Sequence, residues 1–376
     1  MKALVLAGEE SGLLYARQLA AEIRRREPTA EIRGYQDYGF KTEDLAVFGI
    51  WAVLRKIFYF LRVKRTLERA IDEWKPDVVL TVDYPGMNLK LAKYAKQKGV
   101  RSVHVVCPQV WAWHQGRIPK LNATLEKICC FFPFEPALFR PGLATFVGHP
   151  LAEAFSHVQV IARPARSERL LAVLPGSRIG EIGHHLATLL TAAVEIDDDL
   201  KARGIALKVV IPAANERVER ILRKAVESDG RLAGRSVSVR SGGARELLLK
   251  ADAAVVASGT ATLEAALARC PTVLVYKVGY FLAKLMRKIV TGVKHAGLAN
   301  VLWEKSVGGP SEGYPMPELL QEDFTVSNVV STLRPWLTDE TARVAAAKRL
   351  DTAVSLLKSD GGAVAKIVDF CYNPHH

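Results

Sequence analysis

The sequence predicts an α/β protein of two facing, doubly wound (Rossmann-like) parallel-sheet domains with a cleft between them. Three observations point there. Short apolar strands alternate with helical segments along the chain, the pattern of right-handed βαβ units. Both halves open alike, an apolar strand running into a Gly/Ser loop: 2–7 into Gly8-Glu9-Glu10-Ser11-Gly12, and 169–174 into Pro175-Gly176-Ser177-Arg178. The length of 376 residues exceeds what one hydrophobic core usually serves.

In chain order, strand 2–7 leads through its loop into a helix at 12–26, and further strands follow at 76–83, 101–106 and 128–132. The second half holds strands at 169–174, 206–211, 236–239, 252–257 and 272–276, with helices between them. No internal repeat or low-complexity tract interrupts the pattern. The boundary is expected after Val147-Gly148-His149-Pro150-Leu151, inside the polar segment 156–168. That gives domains 1–155 and 156–340, and a helical tail 341–376 open to packing back on the first domain.

A hydrophobic content of 49% and a charged content of 24% are those of a folded globular chain. The net charge of +13 favours an anionic partner: nucleic acid, an acidic lipid surface or a phosphorylated substrate, among which charge alone does not choose. Cys107, Cys129, Cys130, Cys270 and Cys371 are odd in number and lack metal-ligand spacing, which reads as reduced and cytosolic. The start Met1-Lys2-Ala3-Leu4-Val5-Leu6 reads as a strand rather than a signal peptide, and no run of about 18 uncharged apolar residues is long enough to span a bilayer.

Segment 47–65 differs in kind. Trp51, Leu54, Phe58 and Leu61 interleave with Arg55, Lys56 and Arg62, and a helix of that composition suits an anionic membrane surface. A core helix of the first domain with solvated cations is the competing reading.

Candidate chemistry sits at strand ends. Strand 252–257 runs into Ser258-Gly259-Thr260 and a helix that carries Glu264 in its first turns. A helix start offers unpaired N–H groups to a phosphate, and Glu264 could accept from ribose hydroxyls. Alternatively, Ser258 and Thr260 simply cap the helix. Asp83 ends the run Val78-Val79-Leu80-Thr81-Val82, either as a general base or as a cap for the helix after Pro85. Glu9 and Glu10 could cap the first helix or face the same cleft. Arg178, after Gly176-Ser177, could clamp a phosphate, with Glu181 holding that Arg or starting the next helix. Asn300 and Gln321 are loop positions with little signal of their own. Asp197-Asp198-Asp199 reads as a solvated helix end and His184-His185 as exposed. No Gly-x-x-x-x-Gly-Lys-Ser/Thr, Gly-x-Gly-x-x-Gly or Gly-x-Ser-x-Gly motif occurs.

One family unites these motifs. Gly8-Glu9-Glu10-Ser11-Gly12, Asp83-Tyr84-Pro85 with Asn88, Pro108-Gln109-Val110-Trp111-Ala112-Trp113 with Arg117, and Phe132-Pro133-Phe134-Glu135 fall in the first half. Val147-Gly148-His149-Pro150-Leu151, Leu174-Pro175-Gly176-Ser177-Arg178 with Glu181, Ser258 to Glu264, Asn300 and Pro317-Glu318-Leu319-Leu320-Gln321 complete the series. The chain thereby resembles lipid-A-disaccharide synthase, an inverting glycosyltransferase of the two-domain GT-B type. The resemblance implies that UDP-2,3-diacylglucosamine donates its sugar to 2,3-diacylglucosamine 1-phosphate, giving a β-1,6 disaccharide 1-phosphate and UDP. It implies no cofactor, no required metal, no nucleic acid and a place at the inner face of the cytoplasmic membrane; homo-oligomer formation stays open.

On the same resemblance, Asp83 is the base and Glu9 lines the acceptor side. Ser177, Arg178, Glu181, Ser258, Gly259, Thr260, Glu264, Asn300 and Gln321 serve the UDP-sugar. The chain departs from the family pattern at Leu13 (Asp expected), at the short stretch 34–39, at Gly86 (a second acid expected) and at Trp51-Ala52 (a Glu expected), all in the first domain. Competing readings are a different acceptor, an epimerase of UDP-N-acetylglucosamine, and a non-catalytic UDP-sugar-binding membrane protein. The greasy cationic segment counts against the second, and retention of Asp83 and the Trp-rich loop counts against the third.

Overall fold

The computed structural model describes all residues except 46–55, 161–166, 280–282, 285–291, 308–312 and 374–376. The chain forms two compact units, Met1–Glu153 with Leu357–His376, and Ala154–Leu356.

The first unit is built on a six-stranded parallel sheet in the order β2-β1-β3-β4-β5-β6. Its strands are β1 Lys2–Ala7, β2 Glu31–Arg33, β3 Val78–Val82, β4 Arg101–Val105, β5 Lys127–Cys130 and β6 Ala144–Phe146. The central strands are apolar runs buried on both faces, as helices on either side of a parallel sheet demand. Leu4, Leu6 and Val79 pack with Val63, Leu67 and Ile71 of helix Ile57–Trp74 and with Leu91 of helix Pro85–Gln97. Helix Glu10–Arg26 packs with the C-terminal helix Ala363–Tyr372, pinned by an Arg26–Asp369 ion pair at 2.5 Å and an Arg26 bond to the Ala365 carbonyl at 3.0 Å.

The second unit repeats the plan with the order β12-β11-β10-β7-β8-β9. Here β7 is Glu168–Leu174, β8 Ala206–Ala213, β9 Ser236–Ser241, β10 Ala253–Ala257, β11 Thr272–Tyr276 and β12 Glu318–Leu320. Leu186, Leu189 and Ile196 of helix Ile179–Ala202 and Val329, Leu333 and Trp336 of helix Val326–Thr338 cover the core residues Val173, Ile211, Val255 and Val273. The acidic run is not merely a solvated helix end. Asp197 is buried and bonded by Lys201 at 2.6 Å and by Arg235, while Asp199 meets Arg334 at 3.0 Å.

Two expectations shift. The division falls at Glu153–Ala154 rather than in 156–168, and the tail splits. Helix Glu340–Ser355 belongs to the second unit, where Arg269 Nε holds Asp351 at 2.9 Å, and only Leu357–His376 returns to the first. The sequence reading also missed β2, β6 and β12, three-residue strands too short for a period-2 signal. Among the described residues no helix is long and apolar enough to cross a membrane.

In each sheet the winding reverses once: between β1 and β3 in the first, and between β7 and β10 in the second. The carboxyl ends flanking such a switch point are where open α/β sheets bind ligands.

Candidate active site

At the switch point of the second unit lies a cleft of about 450 Å³, walled by the loops after β7, β8, β9 and β10. Ser177, Arg178 and Glu181 come from the first of these loops and Ser258, Gly259 and Thr260 from the last. The capping reading of Ser258 and Thr260 fails. Helix Thr260–Leu267 has Gly259 at its N-cap and no side-chain cap. Its first-turn N–H groups therefore face the cleft without side-chain competition, and its dipole favours an anion there. Gly259 has φ 158° and ψ −167°, a region essentially closed to other residues.

Glu181 fills both roles left open for it. It stands in the first turn of helix Ile179–Ala202 and accepts from Arg178 Nη1 at 3.1 Å, which aims an exposed guanidinium beside the cleft. Glu264 accepts from Arg245 Nη2 at 3.3 Å.

His185 is buried rather than exposed. Its Nδ1 donates to the Pro175 carbonyl and its Nε2 accepts from the Lys277 N–H, each at 2.9 Å. A carbonyl can only accept and an N–H only donate, so the ring is neutral with its proton on Nδ1. It thus clamps the Pro175-Gly176-Ser177 turn to the end of β11.

Asn300 and Gln321 are placed differently from the loops expected. Asn300 lies buried in helix Leu298–Ser306 with its amide spent internally: Nδ2 donates to Met316 O (2.6 Å) and Glu318 Oε1 (2.8 Å), and Oδ1 accepts from Met316 N (3.0 Å). Gln321 opens a short turn after β12 with φ 52°. Neither lines the cleft.

At the switch point of the first unit, Ala7 of β1 pairs with Val82 of β3, so the following Glu9 and Asp83 emerge side by side. The capping readings fail here too. Helix Pro85–Gln97 has Tyr84 at its N-cap and helix Glu10–Arg26 has Glu9, neither with a side-chain cap. Burial pushes the Asp83 carboxyl above its ordinary value, partly offset by the Tyr84 N–H. Burial first, and then the neighbouring Asp83 charge, raise Glu9. Asp83 makes no ion pair among the described residues, so no cation competes for its carboxylate there.

The backbone here is unusual. Asp83 (φ 49°) and Tyr84 (φ 51°) are consecutive left-handed residues, a conformation that costs about 1–3 kcal/mol per non-glycine residue. The surroundings hold it. Asn88, fully buried, donates Nδ2 to the carbonyls of Leu6 (3.1 Å), Val82 (3.0 Å) and Asp83 (2.9 Å) and accepts from the Tyr35 hydroxyl at 2.8 Å. The Tyr84 hydroxyl reaches Leu45 O at 2.9 Å, and its ring lies so close over Gly8 that any Cβ there would overlap it.

Of the membrane-contact candidates, Trp51, Leu54 and Arg55 lie outside the described residues. Lys56 precedes helix Ile57–Trp74, on which Phe58 is 83% exposed beside exposed Ile57, Leu61 and Arg62. The competing core reading holds only for the opposite face, where Val63, Leu67 and Ile71 are buried. All five cysteines are buried thiols outside any disulfide, and Cys107, Cys130 and Glu135 cluster within the core. There Glu135 accepts from Trp111 Nε1 (3.0 Å) and Phe132 N (3.1 Å).

Two doubly wound units, with paired carboxylates at one switch point and a bare helix start at the other, define a GT-B-type α/β protein. The lipid-A-disaccharide synthetase family model matches residues 3–360, and the chain belongs to that family. It is 35% identical to the lipid-A-disaccharide synthase of Chromohalobacter salexigens over 369 residues, covering 93% of this chain and 91% of that one. Against that of Xylella fastidiosa it is 35% identical over 350 residues, 88% of each. Among solved structures it is similar to UDP-GlcNAc 2-epimerase from Neisseria meningitidis bound to UDP-GlcNAc (TM-score 0.60, 10% identity, 99% of both chains). It is also similar to the spinosyn rhamnosyltransferase SpnG complexed with thymidine diphosphate (TM-score 0.55, 14% identity, 99% and 100%). The structural likenesses show the fold alone; the sequence relatives are the synthases.

Proposed function

We propose that the protein transfers 2,3-diacylglucosamine from UDP-2,3-diacylglucosamine to the 6-hydroxyl of 2,3-diacylglucosamine 1-phosphate, forming the β-1,6 disaccharide 1-phosphate and UDP. The observation that carries this reading is one chemical device at each switch point: an Asp83 carboxylate that no cation among the described residues holds, and a helix start that none of them caps with a side chain.

Asp83 takes the proton of the acceptor hydroxyl as that oxygen attacks the anomeric carbon. The bond from that carbon to the UDP oxygen breaks, and UDP leaves as an anion. The N–H groups of residues 260–261 and the Arg178 guanidinium are fixed donors suited to the charge that develops on it. Burial raises the Asp83 carboxyl above its ordinary value, which makes it a better proton acceptor than an ordinary Asp. Glu9 orients the acceptor beside it. Ser177, Ser258, Thr260 and Glu264 bind phosphate and ribose. Asn300 acts at one remove, by holding Glu318 and the 296–297 backbone that Glu318 accepts from. Gln321 accepts from Val278 N at 3.5 Å and is assigned the same indirect role.

The lipid substrates, the +13 charge, the exposed Phe58, Leu61 and Arg62 and the half-buried Lys56 together support peripheral association with the cytoplasmic side of an anionic membrane. Purified protein incubated with both substrates should yield disaccharide and UDP in equal amounts, and with UDP-N-acetylglucosamine alone should yield no epimer. Epimer formation, or UDP release without disaccharide, would overturn the reading.

A further inference from the structure

A second cleft, of about 430 Å³, opens in the first unit between helix Glu10–Arg26 and the β1–β2 edge of the sheet. The helix contributes Leu13, Ala16, Arg17, Ala20 and Arg24, whose three- and four-residue spacing puts them on one face over about 16 Å. Arg33 of β2 stands in register with Leu4 and turns its guanidinium to the opposite face, 4.4 Å from the Trp74 ring centroid, so the two helix arginines supply the charge on this side. Neither Arg17 nor Arg24 makes an ion pair with a described residue. The cleft thus combines a cationic rim with an apolar floor.

Unneutralised guanidiniums around hydrocarbon fit a phosphate monoester that carries an acyl chain. A bilayer headgroup is the competing source of such a phosphate. Two features favour a single bound molecule. The groove is concave, and it lies across the sheet from helix Ile57–Trp74. Val5 and Ala7 line the groove, whereas the alternating Leu4 and Leu6 pack against Val63, Leu67 and Ile71. The groove also starts beside the reacting end, since Ala7 and Leu13 flank Glu9 in sequence. Leu13 and the short 34–36 stretch, where the chain departs from the family pattern, both line it.

We propose that this cleft seats the 1-phosphate and the proximal part of an acyl chain of the phosphorylated, acylated sugar that accepts the transfer, an assignment that rests on the function proposed above. Arg17 and Arg24 are exposed, so Arg17→Glu/Arg24→Glu should fold; Ala20→Trp, which fills the floor, is the second variant. The binding measurement uses four probes: diacylglucosamine 1-phosphate, the same lipid without phosphate, phosphatidylglycerol vesicles, and UDP as the control for folding.

Wild type should bind the phosphorylated sugar at least tenfold more tightly than the unphosphorylated one. The double variant should abolish that gap, Ala20→Trp should weaken both sugars, and UDP affinity should stay within twofold. If the double variant loses UDP binding through misfolding, the Ala20→Trp result decides. A phosphate preference that survives charge reversal, unweakened sugar binding by Ala20→Trp, or loss of vesicle binding alone would each overturn the assignment. The two readings fail separately. Phosphate-dependent binding without disaccharide formation defeats the proposed reaction and keeps the cleft. Full turnover by the double variant with unchanged acceptor KM does the reverse.

Discussion

The side-chain amide of Asn88 holds the carbonyl of Asp83 at 2.9 Å and so fixes the backbone of the residue assigned as base. The same amide ties the ends of β1 and β3 through Leu6 and Val82, and the Tyr35 hydroxyl locks its oxygen. Two left-handed residues in succession persist because this buried network outweighs their strain. Asn88→Ala strands several buried polar groups and should cost about 2–4 kcal/mol of stability. Its turnover should fall about a hundredfold by misplacing the carboxylate, with UDP affinity unchanged. Denaturant titration, initial rates and calorimetry with UDP read the three effects separately; an unaltered kcat would show that Asn88 has no positioning role.

His185 predicts an acid limb for UDP binding. Burial lowers its pKa below the ordinary 6.5, although the carbonyl and carboxylate contacts of Pro175 and Glu181 oppose the shift. The folded state prefers the neutral ring, so the stabilisation is complete above pH 6.5 and is lost as pH falls below it towards the folded value. Protonation removes the acceptor for the Lys277 N–H and loosens the Pro175–Ser177 turn. UDP affinity in wild type should therefore drop as pH falls below the ordinary histidine value towards the lowered folded one. His185→Gln, which can both donate and accept, should bind UDP with a flatter pH profile. Parallel profiles for the two proteins would remove His185 as the cause.

Glu135 acts in the opposite direction. Burial raises its carboxyl to about 8 despite the Phe132 and Trp111 N–H bonds that favour the charged form. With the folded value above the ordinary 4.5, its stabilisation is complete below 4.5 and is lost as pH rises through 8. The slope between those values is at most about 1.4 kcal/mol per pH unit. Urea midpoints taken from pH 5 to 8 should fall more steeply for wild type than for Glu135→Gln; equal slopes would contradict the assignment.

The membrane surface is testable without activity. Phe58→Asp with Leu61→Asp removes two exposed apolar side chains, each worth about 1.5–3 kcal/mol when buried in an interface. Lys56→Glu with Arg62→Glu reverses charge on the same surface. Both double variants should pellet with anionic vesicles at least tenfold less than wild type. The first should stay weak in high salt and the second should lose its salt dependence. Undiminished co-sedimentation of both would place membrane contact elsewhere.

The interior strands were legible because parallel strands buried on both faces read as continuous apolar runs, and β1, β3, β7 and β10 stand within two residues of expectation. The three-residue edge strands carry one or two apolar residues and no period to detect. At the sites, Asp83, Glu9, Ser258, Gly259 and Arg178 were legible because a strand end followed by a turn fixes where a side chain emerges. The work of Asn88 was not, since its partners Tyr35 and Leu6 lie 53 and 82 residues away. His185 misled for a related reason: a doublet of histidines at a helix start looks solvated until the ends of β7 and β11 close around one of them.

The most direct test of the proposed reaction is Asp83→Asn. Asparagine tolerates the left-handed backbone and matches aspartate in size, so the substitution removes the base and little else. Disaccharide formation should fall by at least about a hundredfold with UDP affinity unchanged. Full turnover by Asp83→Asn would contradict the mechanism, since the carboxylate at the end of β3 would then not be the base.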